Sequence, residues 1–208
     1  METKPHILPR IAITSIATGL LMMAFFTTMW AGIAGSGLSG SIKYVEIGFF
    51  AVLIIGFIVS AVYFFMVSKH FPKLNDEADK ARGKKEGMWF GIMFGAEGLF
   101  IFLGINIVIN MGHAELVIPI IALVVGLHFY PMAKIFKRTI DYYIATWSTL
   151  IALCSIWLIL HNTYPTNNII VFLGIGMAVS TSCYGLYMIY KGRGFVKRMP
   201  LDVQSAVL

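Results

Sequence analysis

Glu97 and His128 are the two residues whose type and setting could do chemistry, because each is ionisable and each lies in the middle of a long apolar stretch, FGAEGLFIFLG and VVGLHFYP. A charged group near the centre of a bilayer costs about 2.5 to 3.5 kcal/mol on insertion scales, so such residues face other helices or a wet cavity rather than lipid. Glu97 lies sixteen residues before His113, and His128 lies fifteen after it. If a turn at His113 joins two antiparallel helices, a rise of about 1.5 Å per residue puts both side chains at nearly the same depth. Facing each other, imidazole and carboxylate favour each other's charged form; alone in apolar surroundings, each is driven toward its neutral form. Two readings follow. The pair accepts a proton or binds a cation, or it is polar glue that clamps two helices together.

Other polar positions adjoin this pair. Asn106 and Asn110 share a helix face at a four-residue spacing and are expected to point across to another helix, bonding to it or lining an outer vestibule. Together with Glu97 and His128 they form the candidate set for solute or proton binding. Gly87, Gly91, Gly95 and Gly98 make a small-residue stripe beside the asparagines, which is expected to admit a neighbouring helix or, as the alternative, a second copy of the chain. Pro131, just after His128, removes a backbone donor and frees a carbonyl near Leu127 and His128. Ser180, Thr181, Ser182 and Cys183 form a polar patch halfway along the last apolar stretch, where hydroxyls are expected to bond to the preceding turn or to a neighbour. Asp141, Tyr142 and Tyr143, with Tyr130, fall at one membrane boundary, as do Tyr187 and Tyr190; Trp30 and Tyr164 fall at the other. Aromatic rings in such places are expected to act as anchors.

These residues must be positioned by helices in lipid. Of the 208 residues, 58% are apolar and only 12% charged, too few charges to give the chain a water-compatible surface. The net charge of +6 therefore speaks of topology before it speaks of phosphate contact, and no nucleic-acid partner is expected. Six stretches reach the roughly 20 apolar residues that a span requires: 11–34, 44–68, 87–112, 115–133, 140–160 and 168–190. Fifteen of the sixteen lysines and arginines fall on one side of this topology, among them Lys4, Arg10, Lys73, Lys80, Arg82, Lys137, Arg138 and Arg198, and only Lys43 falls on the other. That asymmetry predicts an even number of crossings with both termini in the cytoplasm. The expected architecture is all-α, a single polytopic membrane domain over residues 1–208, with six spans arranged as three antiparallel hairpins. Ala31 and Ala34 mimic a signal-peptidase site, but the first apolar stretch is too long for a typical signal peptide and predicts an uncleaved anchor.

The connections are short. AGIAGSGLSGSIKY, between the first two spans, reads as a flexible Gly/Ser turn, and the mixed-charge segment 69–86 as a linker or helix extension, with a partner dock as the sharper alternative. Its acidic residues Asp76, Glu77, Asp79 and Glu86 weigh against contact with anionic lipid. Cys154 and Cys183 lie in apolar stretches and read as small hydrophobes. No metal-ligand spacing, His-Glu-x-x-His motif or catalytic acidic pair is present, so neither an enzyme nor a cofactor is expected.

The run GLHFYPMAKIF at 126–136, preceded by the Glu-containing GAEGLFIF, resembles a pattern of an uncharacterised family of small multi-pass bacterial membrane proteins. The resemblance covers the third and fourth spans and implies a place in a bacterial inner membrane, with no activity attached. Buried ionisable groups at one depth, a proline-marked helix and the lack of any soluble domain point to a small transporter or permease for an unidentified solute or ion. The alternative is a non-catalytic partner or regulatory subunit held together by the same polar contacts.

Overall fold

The computed structural model describes residues 10–71 and 77–197. Lys4, Lys73, Asp76 and Arg198 lie outside the described residues, as do the side chains of Glu77, Asp79, Lys80, Arg82 and Glu86. Among the described residues the regular structure is helical throughout, without strands: α1 (Arg10–Gly37), α2 (Gly40–Val67), α3 (Glu77–Asn110), α4 (Val117–Phe136), α5 (Thr139–Leu160) and α6 (Thr166–Val196). All six are long and apolar enough to cross a membrane, as a chain of this composition requires.

The helices run longer than the apolar stretches. α3 begins ten residues ahead of the expected span and takes up the second half of the charged 69–86 segment, so that part is a helix extension. The Gly/Ser connection is a correction: α1 continues to Gly37 and α2 starts at Gly40, leaving two residues between them. Gly40 turns the chain there at φ 62°, and Gly112 does the same after α3 at φ 81°. α4 continues through Pro131 and ends on Lys137, whose left-handed φ of 53° lets the Arg138 N–H reach back to the Ala133 carbonyl at 3.2 Å. α5 starts at the next residue, so this tight turn fixes where Arg138 and Asp141 sit.

In lipid the hydrophobic effect does not press helices together, so close backbone approach and polar contacts must do so. α6, the most buried helix, supplies both. A side-chain carbon built on Gly174 would lie 2.8 Å from the Ala34 nitrogen and 2.9 Å from the Trp30 carbonyl, so α1 and α6 touch backbone to backbone there. Gly185 and Gly192, seven residues apart, receive the rings of Phe57 and Phe64, seven apart on α2. Gly126 of α4 meets the backbone of α5 at Thr149 in the same manner. The expectation that Gly87, Gly91, Gly95 and Gly98 of α3 admit a helix of the same chain is therefore overturned. Among the described residues nothing lies within 4 Å of where their side chains would be; the glycine of α3 that packs on a neighbour is Gly104, 2.6 Å from Ile120 of α4, and close backbone approaches are made by Gly174 of α6 and Gly126 of α4.

Hydroxyls complete the packing. Thr27 of α1 bonds to Thr181 of α6 at 2.8 Å, and Ser148 of α5 bonds to Ser180 of α6 at the same distance. The Trp147 indole donates to the Gly176 carbonyl at 2.9 Å. Ser180 and Thr181 of the 180–183 patch thus bond to neighbouring helices, as expected, whereas Ser182 is buried with its hydroxyl unpartnered and Cys183, like Cys154, is exposed on the outer surface of the helix bundle with a free thiol. Interhelical hydrogen bonds in lipid average about 0.6 kcal/mol. Thr27→Val is accordingly expected to lower stability by about 0.5 to 1 kcal/mol, read from unfolding in detergent, and no loss would mean that the Thr181 hydroxyl is satisfied within its own helix by the Ala178 carbonyl, 3.1 Å away.

Candidate functional site

α3 is the least buried of the six helices and packs chiefly on α4. Its inward positions are Phe94, Glu97, Ile101, Gly104 and Val108, spaced three or four apart as a single narrow stripe. Glu97 lies in the middle of that stripe and is 8% exposed. Opposite it on α4 stands His128, with Nδ1 3.6 Å from Glu97 Oε1. The two residues meet across the seam, as their nearly equal spacing from His113 predicts.

The contact has a definite chemistry. His128 Nδ1 lies 2.6 Å from the Val125 carbonyl oxygen, which can only accept, so Nδ1 carries a hydrogen and donates it there. The longer approach to Glu97 is within ion-pair range but beyond a direct hydrogen bond. Nε2 is consequently the imidazole position free to gain or lose a proton, and Glu97 senses that event through its charge rather than through a shared hydrogen. Aromatic rings flank the imidazole: Phe94 lies edge-on to it at 6.3 Å between centroids, and Phe129 leans on it at 4.2 Å. In so apolar a setting a charge on one partner strongly biases the other.

The asparagines do not contact this pair. Asn106 is exposed and donates to the Phe102 carbonyl of its own helix at 2.7 Å, and Asn110 is exposed at the end of α3. The expectation that they point across to another helix fails because, among the described residues, no helix packs on that side of α3. Asn106→Ala is therefore expected to change stability by less than about 0.5 kcal/mol, and a larger loss in unfolding experiments would reveal a partner for that face.

Two buried carboxylates were not legible in the sequence. Asp141 is fully buried at the start of α5, and neither of its oxygens has a hydrogen-bond partner of good geometry. Glu46, near the start of α2, is also buried, with both oxygens unpartnered and its Oε2 seated over Gly35 of α1. Both lie within two residues of an expected span boundary, where depth alone assigns a side chain to the hydrated headgroup region; only tertiary packing reveals that they turn inward.

Among the described residues no three His, Cys, Asp or Glu side chains converge as a metal site would require. Compared with protein-family models, curated proteins and solved structures, the chain matches none. A polytopic membrane protein places a histidine and a carboxylate in one apolar seam, and that seam joins a lightly held helix to a well-packed remainder.

Proposed function

We propose that the protein is a small transporter or permease of a bacterial cytoplasmic membrane, in which the Glu97–His128 pair takes up and releases the proton that accompanies a solute or ion. The 3.6 Å contact across the α3–α4 seam carries this reading. Movement of α3 along α4 alters the surroundings of both groups, because α3 has little else to hold it. A proton that binds one arrangement better than the other then biases the equilibrium between them.

The six spans form three antiparallel hairpins, α1–α2, α3–α4 and α5–α6, with both termini in the cytoplasm. The positions of the basic residues and the packing of each consecutive pair support this arrangement. It predicts that a cysteine placed at Lys43 reacts with an impermeant thiol reagent in intact cells, whereas one placed at Lys137 reacts only after permeabilisation. The reverse pattern would invert the topology.

A second reading has its own support. Among the described residues nothing lies within 4 Å of the positions that side chains at Gly87, Gly91, Gly95 and Gly98 would take, and a helix of a second copy or of another membrane protein would fit this face of α3. On that reading the protein is a partner or regulatory subunit. Accumulation of solute in proteoliposomes under an imposed pH gradient separates the two. Gradient-driven accumulation supports transport, whereas gradient-independent behaviour together with a stable complex disrupted by Gly95→Leu supports the subunit.

A further inference from the structure

Aromatic side chains hold two cations at the end of the bundle that carries the basic residues. Tyr184, Tyr187 and Lys191 of α6 are spaced three and four apart, so they share one helix face. Arg138, on the turn between α4 and α5, reaches across to that face. Its guanidinium lies 5.1 Å from the centre of the Phe136 ring, and Nη1 donates to the Tyr184 hydroxyl at 3.3 Å. The Tyr184 and Tyr187 rings are 6.4 Å apart, and the Lys191 ammonium lies 5.5 Å from the centre of the Tyr187 ring. Arg138 and Lys191 thus flank one tyrosine pair from separate elements, each steadied by a cation–π contact.

Both cations are exposed and keep unused donors. Tyr184 takes a hydrogen from one guanidinium nitrogen only, and the π contact of Lys191 consumes none of its N–H groups. Among the described residues the ion pairs within 4 Å are His113–Glu115 and Glu97–His128, so neither Arg138 nor Lys191 has a carboxylate partner there. Asp141, three residues after Arg138, is 0% exposed and presents no atom at the surface. Lys134 and Lys137, both exposed, add to the positive charge around the α4–α5 turn. What this surface lacks is an anion.

We propose that this cluster binds the headgroup phosphate of an anionic phospholipid from the leaflet on the same side, with Arg138 and Lys191 contacting the phosphate and Tyr184 positioning the guanidinium. A planar guanidinium fork matches the spacing of phosphate oxygens, and a lysine adds a point charge beside it. Because the ring contacts already order both side chains, less freedom is lost when the anion binds. Tyr142, Tyr143 and Tyr190, exposed around the same end of the bundle, place the cluster at headgroup level, where lipid is the abundant source of phosphate. The inference stands apart from the transporter reading, since it requires neither Glu97 nor His128.

Native mass spectrometry of the full chain, released from micelles holding equal amounts of phosphatidylglycerol and phosphatidylcholine, tests it by counting which lipid stays bound. The wild type is expected to retain phosphatidylglycerol over phosphatidylcholine by about twenty-fold, and Arg138→Gln and Lys191→Gln are each expected to lower that preference about five-fold. Lys69→Gln removes a charge on the same side but outside the cluster, and is expected to lower it less than about two-fold. Inorganic phosphate at about millimolar concentration is expected to leave the bound lipid in place, because a free anion lacks the acyl chains that hold the lipid at this level. Equal retention of the two lipids overturns the proposal. So does a loss in Lys69→Gln as large as that in Lys191→Gln, which would make the attraction a diffuse property of the surface. Displacement by inorganic phosphate overturns the lipid assignment in favour of a soluble anion. If Arg138→Gln does not fold, the contrast between Lys191→Gln and Lys69→Gln decides alone.

Discussion

Gly174→Val is expected to cost about 2 to 3 kcal/mol of unfolding free energy, the upper part of the range for overpacking a close contact. The added carbons would meet the Trp30 carbonyl and the Ala34 nitrogen below 3 Å, and these are backbone atoms that cannot rotate away as a side chain can. α1 must then separate from α6, and with it go the Thr27–Thr181 bond and the packing of Trp30, which is 1% exposed. The same substitution at Gly95 meets nothing within 4 Å and is expected to cost less than about 0.5 kcal/mol in the monomer. Unfolding in detergent, with both variants side by side, checks the contrast. Equal losses would place a helix of this chain against the Gly95 face of α3 and contradict the packing described above.

The second large effect is functional. Glu97→Gln keeps the size of the side chain and its capacity for hydrogen bonding but removes its ability to ionise. Since a polar contact between helices in lipid is worth on the order of 0.6 kcal/mol, the variant is expected to fold and to lose no more than about 1 kcal/mol. Its response to a proton gradient is expected to vanish. A ligand shifts a conformational equilibrium only by its differential affinity for the two states, so without the carboxylate the charge on His128 has no partner across the seam through which to act. A clamp behaves in the opposite way, losing stability while leaving the gradient response intact.

These two cases also show what the sequence could convey. Glu97 and His128 were legible because depth is set by counting: a fixed rise per residue from a shared turn places both at one level, and the cost of ionisable groups in lipid requires them to turn inward. The six helices were legible for the same reason, since length and apolarity decide what can span. Which faces pack was not. The stripe on α3 and the glycines of α6 have the same residue type at similar spacing, and only the folded arrangement shows that Gly174, Gly185 and Gly192 meet neighbours while Gly91 and Gly95 meet none. Asn106 was misplaced by the same ambiguity. Asp141 and Glu46 escaped for a different reason, because a residue two positions inside a span boundary is hydrated or buried according to its rotamer and its neighbours, neither of which depth specifies.

On the proposed function, the Glu97–His128 contact couples a proton to movement of α3 on α4. Its most direct test is the ratio of solute flux with and without an imposed pH gradient in proteoliposomes, for wild type and Glu97→Gln at matched protein content. The ratio is expected to exceed one for the wild type and to fall to about one in the variant, with the gradient-independent flux retained. A variant that keeps the wild-type ratio and unfolds at a lower temperature would contradict the claim and leave the pair as a structural clamp.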